Sequence, residues 1–342
     1  MKAIVQDRYG DAAVWRLDTV DTPEVGADEV LVRVHAAGLD RGTWHLMTGE
    51  PRLLRLGYGL RGPKKPVPGI DVSGTVTAVG TNVSRFSIGD EVFGIAKGSF
   101  AEFAVALEKK LSPKPANLTF AQAAVVPVSG LTAIQAVRDC GRVQPGQKVL
   151  ITGASGGVGT YAVQLAKAFG AEVTGVCSTA KVDLVRSLGA THVLDYTRDD
   201  FATGPERYDV ILDIGGNATL SRLRRALTPK GTLVVVGGEN GGTWTGGFGR
   251  LFRAAALSPF VSQRLMMIIA KEHHDDLDAL TPYLESGAVV PAVDRTYALA
   301  DAADAVAHLA AGLVRGKVAI AVIDDASSGR GSVRRAGGAA AR

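Results

Sequence analysis

The chain has 342 residues, of which 46% are hydrophobic and 21% charged, so it can bury a large core and is neither disordered nor fibrous. Its 38 Lys and Arg residues exceed its 34 Asp and Glu residues, and the segment 324–342, with four Arg against two Asp, supplies half of that excess. No basic patch with interleaved aromatic residues is present, so we expect no nucleic-acid partner.

The cysteine content and the apolar runs exclude further classes of protein. With only two cysteines, Cys140 and Cys177, the chain cannot form a disulfide framework or a four-cysteine zinc site. No apolar run approaches the roughly 18 residues of a membrane-spanning helix, so we expect no stable membrane insertion. The first residues lack the long apolar stretch of a secretory signal, and we therefore expect a cytoplasmic protein.

The first third of the chain contains short alternating runs that are separated by Gly and Pro. Residues 1–7 are typical of a first strand, and the valines of residues 29–35 share one face of the next. Similar strands follow over residues 74–80 and 89–94. This pattern predicts an all-β, barrel-like unit.

After about Ala121, helically spaced apolar residues alternate with the continuous apolar runs that are typical of buried parallel strands. The run 148–152 is followed by a helical face that includes Tyr161 and Leu165 and ends before Gly170. We expect further strands over 172–176, 192–196, 209–213 and 232–236, and helices over 181–188 and 218–227. Strand and helix in alternation predict a doubly wound parallel sheet.

The end of the chain contains one more helix and one more strand. The spacing predicts a helix over 302–313 and a strand over 317–322, and periodicity leaves open whether that strand returns to the first unit. The tail 324–342 is rich in Gly, Ala, Ser and Arg, and we expect it to be flexible and outside the fold.

The strongest local signal is the glycine-rich run Thr152-Gly153-Ala154-Ser155-Gly156-Gly157-Val158-Gly159. It follows a buried strand and opens a helix, as a dinucleotide-binding loop does. Glycines allow the backbone to approach a pyrophosphate, and the unpaired N–H groups of the helix start stabilise its charge. The simpler alternative is a tight turn that needs a positive φ.

The end of the second strand of this sheet distinguishes NAD from NADP. An NAD-binding protein carries Asp or Glu there to bind the ribose hydroxyls, whereas this chain continues as Cys177-Ser178-Thr179-Ala180-Lys181. A hydroxyl and an ammonium group suit a 2′-phosphate, so Ser178 and Lys181 favour NADPH. Alternatively, Ser178 caps the next helix and Lys181 is solvated.

Several motifs together resemble a known family. Gly146-Gln147-Lys148-Val149-Leu150, the run Ala154–Gly159, Gln164 and Lys167 closely resemble the quinone oxidoreductase (zeta-crystallin) signature of the medium-chain dehydrogenase/reductase superfamily. The resemblance continues in residues 68–74, 89–92 and 316–318 and covers roughly residues 1–323.

This resemblance implies the domain organisation. The fold class is α/β, with a GroES-like β-barrel domain over 1–122 and 272–323 and a Rossmann NADP-binding domain with a doubly wound parallel sheet over 123–271. The active site would lie in the cleft between the domains. Relatives form dimers through their cofactor domains, so we also expect a homodimer.

The resemblance also implies which residues contact the cofactor. The pyrophosphate would lie on the glycine-rich loop, the adenosine phosphate beside the second and third strands, and the nicotinamide beside Thr132 and the end of a later strand. The expected cofactor-binding residues are Thr132, Ser155, Gly156, Gly157, Val158, Ser178, Lys181, Tyr196, Val236 and Gly237.

Zinc alcohol dehydrogenases belong to the same superfamily, and their catalytic ligand positions fall on about Asp40, Ile70 and Val128. Two of these side chains cannot bind a metal, so we expect no metal site. His35, His45 and Asp71 are a remaining possible set of ligands. We expect His35 to point outward with Arg33, away from such a site.

Asp40 and His45 are the candidate catalytic residues, because residues 38–45 match the active-site loop of the family. Asp40 replaces an Asn of many relatives and His45 a Tyr of several. His45 suits proton donation to a quinone oxygen or an enolate, and the alternative is that it only lines the pocket. Without zinc, electron-poor acceptors such as quinones and conjugated enones are favoured.

Two apolar stretches with spaced arginines indicate where the acceptor binds. Residues 51–61 are expected to form a lid over the acceptor site, and residues 248–270 to border its entrance. Such walls suit a bulky, lipophilic small-molecule substrate, a carbonyl compound or a quinone, and their basic character also suits transient contact with a membrane surface. The sequence therefore predicts an NADPH-dependent quinone or enone reductase. An NAD(P)-dependent alcohol dehydrogenase or ketone reductase and a non-catalytic NADPH-binding protein are the alternatives.

Overall fold

The computed structural model describes residues 1–238, 242–244, 246–247, 249, 254 and 257–323, except for the side chain of Pro259. The strands β1–β15 are Lys2–Val5, Arg16–Thr19, Glu29–Leu39, Asp71–Val79, Glu91–Ile95, Phe103–Leu107, Leu111–Pro113, Lys148–Thr152, Glu172–Cys177, His192–Asp195, Tyr208–Asp213, Leu227–Val235, Arg264–Met267, Val293–Ala298 and Lys317–Ala321. The helices α1–α9 are Arg41–Thr48, Arg55–Tyr58, Phe120–Ala124, Pro127–Ile134, Gly157–Ala168, Val182–Ser187, Leu220–Ala226, His274–Glu285 and Ala302–Ala310. A π-helix at Gln135–Gly141 continues α4.

The first unit is built on a seven-stranded sheet in the order β14-β15-β3-β4-β5-β7, in which β6 also pairs with β3. The expected alternation in β3 is confirmed, because Val30, Val32 and Val34 are fully buried and pack in one apolar core. The last strand does return to this unit, since β15 pairs antiparallel with β3, with Val318 opposite Leu39.

The second unit is a six-stranded sheet in the order β10-β9-β8-β11-β12-β13, and each of its pairs is parallel. The apolar run 148–152 is its central strand β8, and Val149, Leu150 and Ile151 are fully buried. The α/β class and the doubly wound sheet are thus confirmed. The chain reverses its direction of strand addition between β8 and β11, and a ligand crevice is expected at the carboxyl ends of these two strands.

The two units contact each other beside that crevice. The backbone N–H of Val128, in the first turn of α4, donates to Oδ1 of Asp71 on β4 at 2.9 Å. The Tyr161 hydroxyl of α5 donates to the Val125 carbonyl at 3.0 Å, and the buried Gln164 amide bonds the Val290 backbone. The Gln164 bonds fix the middle of α5 against the first unit, and the Tyr161 bond fixes it to the connection between α3 and α4. The domain boundaries at residues 122 and 272 remain predictions.

Two local expectations differ from the structure. The active-site loop is a helix, α1, because Oδ1 of Asp40 accepts from the Thr43 N–H at 2.7 Å and caps it. The His35 side chain is half-buried and not fully exposed to solvent. Its ring stacks on Phe120 of α3 at 4.0 Å, and Nε2 contacts the Thr75 hydroxyl at 3.2 Å. Alternation alone does not show that α3 covers this face of β3.

Candidate active site

The glycine-rich loop connects β8 to α5 in a tight turn. Gly153 adopts a φ of 67°, and a Cβ on Gly159 would lie 2.1 Å from the Gly153 carbonyl oxygen, so a side chain does not fit there. Gly156 caps α5 without a side-chain hydrogen bond, which leaves the first N–H groups of the helix without a side-chain cap. The loop therefore presents backbone donors to the crevice.

A cavity of about 790 Å³, here called the loop cavity, lies over this turn. Nine of the ten expected cofactor-binding residues line it: Thr132, Ser155, Gly156, Gly157, Val158, Lys181, Tyr196, Val236 and Gly237. Ser178 does not line it, and instead stands at the start of the 3-10 turn Thr179–Lys181 with no capping bond from its side chain.

Lys181 is held at the edge of the loop cavity. Its Nζ donates to the Gly312 carbonyl at 2.9 Å and to the Val314 carbonyl at 2.7 Å, in the connection between α9 and β15. Burial lowers the pKa of Lys181 from its usual value. The side chain is thus positioned by the backbone and is not a solvated surface charge.

One carboxylate, that of Asp195, lies at the end of β10 near this edge. It is buried, and it accepts from the hydroxyls of Thr179 at 2.5 Å and Thr197 at 2.8 Å. These hydrogen bonds lower the pKa of Asp195. Its oxygens are used within the fold, so Asp195 does not replace the carboxylate that an NAD site would carry at the end of β9.

A second cavity, of about 810 Å³, adjoins the first and is here called the apolar cavity. Its walls include Trp44, Leu54, Tyr58, Ile70 and Ile268. The residues that line both cavities are Gly42, His45, Val236, Gly237 and Gly238. A ligand in the loop cavity and a ligand in the apolar cavity would therefore meet beside His45 and Val236.

Asp40 and His45, the candidate catalytic residues, both belong to the α1 region. Asp40 lines the loop cavity, and its Oδ2 is buried without a hydrogen-bond partner in the described structure. His45 lines both cavities, and its Nδ1 lies 2.7 Å from the Glu50 carbonyl. Because a carbonyl only accepts, Nδ1 carries a hydrogen, and this bond fixes the orientation of the ring.

A buried ion pair beneath the loop was not foreseen from the sequence. Nζ of Lys317 lies 3.4 Å from Oδ2 of Asp71, and both residues are almost fully buried. Burial raises the pKa of Asp71 to about 7, Lys317 opposes this rise, and the nearby Asp40 adds to it. Lys317 also lines the loop cavity, where its Cδ lies against Gly157. The sequence signal for this ion pair is Lys317 itself, because it is a lysine next to the apolar run of β15.

The residues at the zinc positions do not fit zinc. Asp40, Ile70 and Val128 do surround the two cavities, but Ile70 and Val128 have no ligand atoms, and Asp40 uses one oxygen to cap α1. His35 pairs with Phe120 and Thr75 as described above, so it does not join His45 and Asp71 in a set of ligands.

Among the residues that the structure describes, His273, His274 and Asp275 at the start of α8 form one close group of metal-ligating side chains. His273 caps α8, and His274 pairs with Asp278, so these groups have partners within the helix. The group does not line either cavity.

Residues of both predicted substrate walls line the apolar cavity. Pro51, Leu54 and Tyr58 of the expected lid line the apolar cavity, and Arg52 N–H donates to the Thr243 carbonyl at 2.8 Å across its mouth. In the stretch 248–270, Ile268 and Ile269 line the cavity. Phe248, Leu251 and Phe252 lie outside the described residues.

The chain matches two family models and is similar to several known reductases. The model of the alcohol dehydrogenase GroES-like domain matches residues 26–116, and that of the zinc-binding dehydrogenase matches residues 188–320. The chain is 32% identical to 2-methylene-furan-3-one reductase of Solanum lycopersicum, over 94% of this chain and 79% of that protein. It is equally similar, over the same shares, to NADPH-dependent alkenal/one oxidoreductase of Arabidopsis thaliana.

Solved structures show the same fold. The quinone oxidoreductase from Coxiella burnetii superposes with a TM-score of 0.83 at 29% identity, over 94% of this chain and 99% of that one. The Escherichia coli quinone oxidoreductase complexed with NADPH superposes with a TM-score of 0.81 at 24% identity, over 94% and 100% of the two chains. Among the residues that the structure describes, no helix is long and apolar enough to span a membrane.

Proposed function

Because the chain belongs to the medium-chain dehydrogenase/reductase superfamily, among its quinone oxidoreductase-like members, we propose that it transfers a hydride from NADPH to a quinone or an α,β-unsaturated carbonyl. The observation that carries the proposal is the junction of the loop cavity with the apolar cavity beside His45 and Val236. A nucleotide and a lipophilic acceptor can be brought together there.

NADPH supplies a hydride from its nicotinamide ring when bound. The backbone donors at Ser155–Val158 stabilise its pyrophosphate, because they open α5 at the positive end of the helix dipole. Lys181 and Tyr196, at the edge of the loop cavity, hold the 2′-phosphate, with Ser178 at the start of the same turn. Val236 and Gly237 line the loop cavity where it meets the apolar cavity, and Thr132 lines the loop cavity.

The acceptor is activated by position and hydrogen bonds. The side chains of Asp40, Ile70 and Val128 do not form a set of zinc ligands. Quinones and conjugated carbonyls accept a hydride without a Lewis acid more readily than simple ketones do, because the charge that develops is delocalised. The apolar walls around Trp44, Leu54 and Tyr58 suit such planar, lipophilic groups.

The reduced acceptor needs a proton on the atom that becomes negatively charged. We propose that His45, in its protonated form, gives a proton to the negatively charged oxygen of the quinol anion or of the enolate, since its ring lines both cavities and is oriented by the Glu50 carbonyl. Asp40 holds α1 in place through its cap, and its second oxygen is placed to accept from a hydroxyl in the loop cavity.

An NADPH-oxidation assay on metal-analysed protein tests the proposal, with para-benzoquinone, phenanthrenequinone, an alkenal and a simple ketone as acceptors and NADH as the alternative donor. Turnover of a quinone or the alkenal with NADPH is the expected result. Tight NADPH binding without turnover would favour a binding protein, and zinc-dependent turnover of the ketone would favour an alcohol dehydrogenase.

We also propose a cytoplasmic homodimer that forms through the second sheet. Strand β13 pairs only with β12 in the described structure, so its other edge can pair with a second copy. Phe260 and Met267, next to and at the end of this edge, are exposed. Sedimentation velocity should give twice the monomer mass, and cell fractionation tests the location.

A further inference from the structure

The mouth of the apolar cavity carries an exposed apolar face. We define it by Leu53, Leu56, Tyr58, Leu60 and Trp244, and call it the docking face. Leu56, Leu60 and Trp244 expose 69%, 69% and 68% of their surface, and the other two are also exposed. Large apolar side chains that are exposed in a group, and not singly, indicate an interaction site.

The residues of the docking face come from both units, and direct contacts join the two segments that carry them. The Leu53 N–H donates to the Trp244 carbonyl at 3.1 Å, and the Arg52 guanidinium lies over the Trp244 ring at 5.3 Å. Arg55 fastens the same segment to the first unit, because its Nε donates to the Gly49 carbonyl and its guanidinium lies over Tyr9. The apolar side chains are therefore presented from a fixed backbone.

The segment that carries the docking face is strongly basic. Between residues 50 and 65 the chain has five Arg and Lys residues and a single acid, Glu50. Arg61, Lys64 and Lys65 carry charged groups, and none of the three forms a salt bridge with any residue that the structure describes. A surface that is both apolar and basic is complementary to anionic lipid headgroups above an apolar interior.

The docking face is also continuous with the cavity beneath it. Pro51, Leu54, Tyr58 and Thr243 line the apolar cavity, and Leu53, Leu56 and Trp244 lie beside them in the chain, facing solvent. A lipophilic molecule that leaves a bilayer at this surface reaches the cavity without crossing water. Tyr58 and Trp244 also have the amphipathic rings that are typical of membrane interfaces.

We infer that the docking face binds an anionic lipid bilayer and takes up a bilayer-dissolved acceptor through the mouth of the apolar cavity. The uptake of an acceptor through the docking face rests on the proposed reductase function. The binding of lipid by the docking face does not depend on that function. The apolar side chains enter the interface, and Arg61, Lys64 and Lys65 pair with headgroup phosphates. Contact of this kind is peripheral and reversible.

Vesicle co-sedimentation tests the lipid binding. The full chain should sediment with vesicles of phosphatidylcholine and phosphatidylglycerol, and much less with vesicles of phosphatidylcholine alone. We expect Leu56→Asp to lower the partition coefficient roughly tenfold or more, and Arg61→Glu roughly five- to tenfold. Neither Leu56 nor Arg61 lines the loop cavity or the apolar cavity.

Two matched variants control for general effects of the substitutions. Ile88→Asp places an acid on an equally exposed apolar residue of the loop before β5. Lys230→Glu reverses an exposed charge in the first half of β12, and Lys230 lines neither the loop cavity nor the apolar cavity. Both should bind vesicles as the unchanged protein does, and thermal melting should show that all four variants are folded.

Turnover measured in parallel separates the two proposals. Leu56→Asp should raise the KM for a long-chain quinone dissolved in the vesicles by a larger factor than the KM for water-soluble para-benzoquinone. Failure of the unchanged protein to reduce either quinone refutes the reductase function alone. The docking proposal is overturned if the protein binds neutral and anionic vesicles equally, or if the control variants lose as much vesicle binding as Leu56→Asp and Arg61→Glu. It is also overturned if the unchanged protein is a dimer and Leu56→Asp is a monomer, because this face would then bind a second copy of the chain.

Discussion

The buried carboxyl of Asp71 predicts an unusual dependence of stability on pH. Burial raises its pKa from the usual 3.8 to about 7 despite Lys317. The folded protein therefore binds a proton at Asp71 more tightly than the unfolded chain does. The stabilisation from this proton is complete below about pH 4 and is lost as the pH rises through about 7.

The magnitude follows from the shift in pKa. A shift from 3.8 to about 7 is about three units, and at ~1.4 kcal/mol per unit it corresponds to a contribution of about 4 kcal/mol to the free energy of unfolding. Asn in place of Asp71 is always neutral. We therefore expect the free energy of unfolding of Asp71→Asn, relative to that of the unchanged protein, to rise by about 4 kcal/mol between about pH 4 and pH 7 and then to stay level.

Urea unfolding at a series of pH values measures this difference. Asp183→Asn is the matched control, because it makes the same chemical change at a side chain that is 93% exposed. A difference between Asp71→Asn and its parent that is constant with pH, or that falls as the pH rises, would refute the reasoning. The second result would mean that Lys317 holds Asp71 ionised in the fold.

The site gives three further predictions. Lys181→Ala should weaken NADPH binding by ~1–3 kcal/mol and leave NADH binding nearly unchanged, and equal losses in two calorimetric titrations would contradict the 2′-phosphate role. His45→Gln should lower kcat roughly a hundredfold or more with little change in the Kd of NADPH, and an unchanged kcat would exclude His45 as the proton donor. Gly159→Ala should weaken NADPH binding at least tenfold, because its Cβ would lie 2.1 Å from the Gly153 carbonyl oxygen, whereas Gly57→Ala, with no atom within 4 Å of its Cβ, should not.

The sequence predicts best where one period or one motif determines the local structure. The alternating valines of β3 and the apolar run of β8 each require a particular side to be buried, and both are buried as expected. The glycine-rich loop was predicted at its full length, because strand, glycines and helix follow one another in the chain. Nine of the ten expected cofactor residues then lie around one cavity.

Sequence reasoning is weaker where distant segments meet. Asp71 and Lys317 are 246 residues apart, and no local pattern indicates that β4 and β15 bring them together. His35 alternates like a surface residue, but α3 covers it. The family resemblance predicts a loop for the active-site segment, although Asp40 followed by Thr43 has the spacing of a helix cap.

The return of β15 to the first sheet affects how the protein matures during synthesis. Lys317, the first residue of β15, lines the loop cavity, as do Leu39 and Ser155. A nascent chain that stops before residue 317 therefore has the glycine-rich loop and the crevice but lacks one wall of the binding site. Since a ligand stabilises only the state that binds it, cofactor binding should protect finished chains from degradation and leave truncated chains unprotected.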